Sequence, residues 1–226
     1  LFAPEEYWEI EIEVLDENGK KMNCSLYKEN EDKFQKLSIK NKKQAELLQN
    51  KINTESFSVT DVIKKNKNRS PYSPFSNSLL LQDASSKLGF SPKYTNSLAQ
   101  QLKDGISDLG ALITYHRSDS NRMKRDEIDK LIDIIGNEIG KEYLPERSIE
   151  YNEKSKFVQQ GHEAVTPTQL NVKPESVKNI LNQDQFKLYD LIWKRTVASQ
   201  MNQSKSLETT YFIEGESIIL KSSGSV

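Results

Sequence analysis

With 226 residues, 35% hydrophobic and 29% charged, the chain is long enough for one large domain or two small ones and too apolar for disorder. No window approaches the roughly 18 consecutive apolar residues of a membrane-spanning helix; a single cysteine, Cys24, excludes an internal disulfide and suits a reducing cytoplasm; and two histidines, His116 and His162, are too few for an all-protein zinc site. The net charge of −1 is unevenly spread, with −3 over residues 1–60, +6 over 61–125 and −4 over the rest, and a cationic middle fits either a phosphate-binding surface or a solvated lysine-rich face.

The opening Leu1-Phe2-Ala3-Pro4-Glu5-Glu6 has neither a secretory signal nor an initiator Met, so an upstream segment is expected. Trp8, Ile10, Ile12 and Val14 alternate with Glu9, Glu11 and Glu13, and Met22, Cys24 and Leu26 alternate on the way back. With Asn18-Gly19 supplying positive φ angles, residues 7–27 read as a β-hairpin. A helix is expected over 41–52 and a strand over 57–63, before the basic run 64–69 and a Pro-containing linker over 69–74.

From Ser76 the period becomes helical. Leu80, Ala84 and Leu88 predict a helix capped by Gly89, and Ser91-Pro92 opens another that Gly105 ends. A short strand over 111–115 would complete a helix, turn, helix, strand order, that of a winged helix-turn-helix. Ile128, Leu131, Ile132, Ile135 and Ile139 form one stripe over 124–139, and Asn182 with Gln185 makes a capping box for a helix through Val197. Strand patterns return at Leu207 to Ile213 and at Ile218 to Leu220. Strands at both ends of a helical middle predict that the termini share one sheet and that the helices are inserted into it.

Chemistry concentrates in Leu112 to Ser120. If a strand continues through it, Tyr115, Arg117 and Asp119 share one face and His116, Ser118 and Ser120 the other. A tyrosine hydroxyl ionises near pH 10 on average, so a neighbouring cation helps it act as a nucleophile. A guanidinium can also hold two phosphate oxygens at once while a carboxylate orients it. The same three residues would equally form an ordinary surface ladder. His162 has no second histidine at zinc-protease spacing, no Gly-x-Ser-x-Gly frames Ser118 or Ser120, and no phosphate-cradling glycine loop occurs.

The order of motifs resembles the central part of the bacterial type IA DNA topoisomerases. Residues 4–10 are similar to that family's PEEYWEV, 74–79 with 82–90 to PFTTSTLQQEASRKLGF, and 99–105 to AQQLYEG. Residues 112–120 are similar to LITYMRTDS, 162–168 to HEAIRPT and 188–201 to LYELIWKRFVASQM. The resemblance implies an α+β multidomain catalytic-core fragment: a β-rich arch or gate domain (1–68 and 203–226) interrupted by a mainly α, winged-helix-like domain (69–202). It implies that Tyr115 attacks a DNA phosphodiester and becomes linked to the 5′ phosphate. Arg117 and His162 would contact the scissile phosphate, Asp119 would support the site, and Asp104 would stand where the family has Glu. Gln100, Gln101, Lys87, Ser118 and Arg122 are the DNA-contacting set expected with it. His116, Ser118, Lys103 and Thr166 depart from the family's Met, Thr, Tyr and Arg. No metal site is expected in these residues, because in that family Mg²⁺ is bound by a Toprim domain whose motifs are missing from 1–226. The partners implied are single-stranded segments of negatively supercoiled DNA and the rest of the same polypeptide, in a monomeric cytoplasmic enzyme that works without ATP. This fragment alone would be inactive. The alternative is a non-enzymatic winged-helix or structural module in which Tyr115 is inert.

Overall fold

The computed structural model describes residues 4–35, 37–151 and 163–226. It divides into two compact units, Leu1–Asn68 with Lys205–Val226, and Arg69–Ser204. It is an α+β fold.

The first unit is built on one six-stranded sheet: β1 (Ile12–Leu15), β2 (Lys21–Glu29), β3 (Asp32–Lys33), β4 (Ser58–Arg69), β5 (Ser204–Glu214) and β6 (Ile218–Ser225). The order is β1-β2-β6-β5-β4, with β3 beside β2, so the C-terminal strands lie between the N-terminal hairpin and β4. The hairpin pairs Ile12 with Cys24 and Leu15 with Lys21. Its turn differs from the expected one. Gly19 alone has a positive φ, of 77°, while the Asp16 carboxylate accepts from the Asn18 and Lys20 amides at 2.9 and 2.7 Å. The loop is a four-residue turn with glycine last, so Asn18 is not left-handed.

Alternation along β5 and β6 sends Ile213, Ile218 and Leu220 inward onto Ile12. Helix α1 (Lys42–Thr54), capped by Asn41, packs Ala45 and Leu48 on Ile39. Just past its end, the Glu55 carboxylate accepts from the Ser217 and Ile218 amides, tying the helix to the β5–β6 turn. The expected break between strand and basic run is absent, because β4 continues to Arg69. It is an edge strand whose residues are exposed except for half-buried Ile63, and lysines on such an edge discourage pairing with another chain.

In the second unit, α2 (Asn77–Leu88) ends at Gly89 with φ 71°, and α3 (Pro92–Asp104) starts from Ser91, whose hydroxyl accepts from the Tyr94 amide. α4 (Arg125–Ile134) runs into a π-turn over Ile135–Ile139, then comes the short α5 (Pro174–Val177). The wider turn takes Ile139 out of phase with Leu131 and Ile135 and leaves it exposed, against the expected stripe. α6 (Gln183–Ala198) begins with the Asn182–Gln185 capping box. One core joins Leu80, Leu98, Leu102, Val165, Leu188 and Ile192 from α2, α3, α6 and the segment around residue 165. Arg195 of α6 lies largely buried against it, donating to the Ser73 carbonyl at 2.6 Å and to Asp83 at 3.3 Å between the rings of Tyr72 and Phe75. Residues 111–115 do not form the expected strand: only Ile113 makes a bridge, to Pro167, and neither flanking pair closes, because the Leu112 amide donates to the Leu102 carbonyl and the Thr166 amide to the Thr114 hydroxyl.

Candidate functional site

The segment carrying Tyr115 is held from three sides. The Leu112 amide donates to the Leu102 carbonyl near the end of α3 at 2.8 Å, and the Thr168 amide to the Leu112 carbonyl at 3.0 Å. Thr114 exchanges bonds with residues 164–166: its amide donates to the Thr166 carbonyl at 2.9 Å, and its hydroxyl donates to Ala164 and accepts from the Thr166 amide. At the start of α2, the Asn77 amide donates to the Ser118 carbonyl at 2.7 Å and its side chain to the His116 carbonyl at 2.9 Å. Beyond Thr114 the backbone therefore bonds to a helix N-terminus, whose free donors suit it, and not to a sheet.

Alternation survives without a ladder. Tyr115 is 53% exposed, Arg117 and Asp119 are exposed, and His116, Ser118 and Ser120 are buried. The Ser118 hydroxyl accepts from the Ser120 amide and that of Ser120 from the Arg122 amide, so both are used internally. The His116 ring lies 5.9 Å from the Tyr115 ring, tilted by 53°.

Asp104 ends α3 and is exposed. The Gln100 side chain donates to both of its oxygens at 2.7 Å and Lys103 approaches at 3.3 Å. These bonds, Gln100's first, hold the carboxyl below the usual carboxylate range, so it is charged at neutral pH. Asp104 and Lys103 also lie close enough to His116 to act on it electrostatically. The structure thus gathers Tyr115, Arg117, His116, Asp104 and Gln100 at the junction of the Tyr115 segment with α3.

The other expected residues are placed differently. Gln101 accepts from Gln185 at 2.8 Å and so turns toward the start of α6. Lys87 pairs with Asp83 at 2.6 Å, ten residues along α2 from Asn77, which is about 15 Å along the axis. Arg122 is exposed, and its carbonyl accepts from the Ala164 amide. His162 lies outside the described residues. Thr166 is 2% exposed. Asn77 was not singled out from the sequence, and nothing in the sequence marks it, since its partners, the Asn96 side chain and the His116 and Ser118 carbonyls, lie about twenty to forty residues away. Among the described residues no group of three or more His, Cys, Asp or Glu could hold a metal ion.

The arrangement presents an exposed phenol and an exposed guanidinium on a backbone fixed at both ends. It suits attack on a phosphodiester, with two of its oxygens held by Arg117. The family profile described as DNA topoisomerase matches residues 1–226. A DNA topoisomerase 1 from Rickettsia bellii is 41% identical over 204 residues, 88% of this chain and 25% of the relative. One from Campylobacter jejuni is 34% identical over 226 residues, 99% of this chain and 32% of the relative. The solved structure of full-length topoisomerase I from Thermotoga maritima superposes with a TM-score of 0.72 at 31% identity, over 99% of this chain and 34% of that one. The chain therefore spans about a quarter to a third of the relatives it matches.

Proposed function

We propose, from the premise that the chain belongs to the bacterial type IA DNA topoisomerase family, that it supplies the nucleophile for single-strand DNA cleavage in a longer enzyme. The Tyr115 hydroxyl attacks phosphorus, a bond forms from Tyr115 Oη to the 5′ phosphate, and the bond to the 3′ oxygen breaks. The phenol gives up its proton in the attack, and the 3′ oxygen takes one up and leaves as a free 3′ hydroxyl. Religation is the reverse attack, and since the phosphotyrosine retains the energy of the broken diester, no ATP is needed. Passing the other strand through the break relaxes negatively supercoiled DNA.

The observation that carries the reading is the exposed Tyr115 and Arg117 on a segment clamped by Asn77, α3 and residues 164–168. Arg117 would grip the phosphate, His162 would join it, and Asp104 and Asp119 would set the local charge. Gln100, Gln101, Lys87, Ser118 and Arg122 stay in the proposal as DNA contacts, Ser118 through its backbone because its hydroxyl is buried. The +6 segment over 61–125 supports binding to phosphates on single-stranded stretches. Mg²⁺ belongs in this reading to carboxylates outside these residues, and no step above passes through it. The protein is read as a cytoplasmic monomer.

The test is covalent trapping on an oligonucleotide. In the full-length protein Tyr115→Phe should abolish DNA-linked protein with little loss of stability, because one exposed hydroxyl is removed. Residues 1–226 alone should form none. Trapped complex in the Phe variant would refute the assignment and leave a DNA-binding or structural module.

A further inference from the structure

His116 has no exposed surface, and neither ring nitrogen has a hydrogen-bond partner among the described residues. Even a neutral imidazole carries one N–H, and a buried donor left unpaired forfeits its bonds to water with nothing in exchange. An apolar side chain of similar volume would fill the space without that cost, so packing alone does not account for a histidine here.

Its surroundings are specific. Tyr115 and Arg117 flank it, both exposed, and its buried ring lies 5.9 Å from the ring of Tyr115, the residue read as nucleophile. Its carbonyl is held by the Asn77 side chain. The charged groups facing it are Arg117 on its own segment and Lys103 and Asp104 from the end of α3. The two cations oppose a charge on the ring. Asp104 favours one, but both its oxygens already accept from Gln100. Burial above all, then Arg117, holds the His116 pKa below its ordinary value.

We propose that His116 is a positioning residue: its uncharged ring, buried between Tyr115 and Arg117 in the chain, fixes where the phenol stands, and a proton on that ring unseats it. This rests on the reading of Tyr115 as the nucleophile. An imidazolium has two N–H donors, and the seat offers an acceptor for neither among the described residues. The charged ring therefore turns toward water and carries its two neighbours with it, and a shift of about 1 Å in a reacting group costs around a hundredfold in rate. Because the folded pKa is depressed, the unfolded chain takes the proton more readily. The seat has its full stability above about pH 6.5 and loses it as the pH falls from there toward the lowered folded value.

The test places 3-fluorotyrosine at position 115 of the full-length protein and follows its fluorine resonance between about pH 7 and pH 5, where histidine titrates and phenols do not. With His116 present the resonance should move through a single titration below the ordinary histidine pKa. In His116→Met and His116→Leu that titration should vanish. The yield of trapped complex, each pH profile scaled to its own maximum, should fall about tenfold per pH unit on the acid side and lose one proton's dependence in both variants. A resonance that does not titrate, or that titrates identically in the variants, overturns the proposal. If neither variant folds, the same titration in His162→Gln decides: it should persist there, and its loss overturns the proposal. The resonance needs no cleavage, so trapping by Tyr115→Phe would refute the functional reading separately.

Discussion

In the helical unit, Leu80, Leu102, Leu188 and Ile192 have no exposed surface and share one core. In the sheet unit the main buried cluster is Ile12, Ile213, Ile218 and Leu220, and the long strands β4, β5 and β6 rely otherwise on backbone ladders. The segment bearing Tyr115 bonds to α2, α3 and residues 164–168, all of which contribute to the larger core. Packing is thus concentrated under the residues proposed to carry the chemistry. The sheet, whose buried clusters are smaller, should open at lower cost.

The largest effect that could break this contrast is in the cores. Leu188→Ala should cost about 4 kcal/mol in the helical unit, and Ile218→Ala about 2 kcal/mol in the sheet unit, where sparser surroundings relax more readily. Hydrogen exchange read segment by segment checks both, and equal losses would erase the distinction. A smaller effect sharpens it: Asn77→Ala removes the side-chain bonds to the His116 carbonyl and Asn96 and should cost about 1–2 kcal/mol. Cleavage in trapping assays should drop about tenfold or more, beyond the change in folded fraction, because the Tyr115 segment loses one clamp. The smallest is Gly19→Ala. An added Cβ meets nothing within 4 Å, so only the φ of 77° resists it. The cost should be about 1 kcal/mol, visible as faster exchange across Ile12–Leu26 with trapping unchanged.

Local chemistry was enough where an element is defined by its own residues. Gly89 had to be the left-handed cap of α2, Ser91-Pro92 the start of α3, and Asn182 with Gln185 the box of α6, because each device closes within three or four residues. The outward face of Tyr115, Arg117 and Asp119 was legible from period alone. β4 was cut short because exposed lysines on an edge strand have the composition of a loop, and only pairing with β5 makes them a strand. Residues 111–115 were over-read because a ladder needs its pairs to close in both directions, and here the Leu112 and Thr166 amides are taken by the Leu102 carbonyl and the Thr114 hydroxyl. The turn at Ile135–Ile139 shifted a stripe that a uniform helical period had kept in line.

By itself the sequence determined the helix caps, the outward face of Tyr115, Arg117 and Asp119 and, through motif order, the family. Tertiary structure alone decided that Asn77 clamps the Tyr115 segment, that Gln100 and not Gln101 holds Asp104, and that the buried His116 ring has no hydrogen-bond partner among the described residues. Those outcomes depend on which distant backbone atoms meet a side chain, and the strength of such contacts is set by burial, which no local pattern encodes.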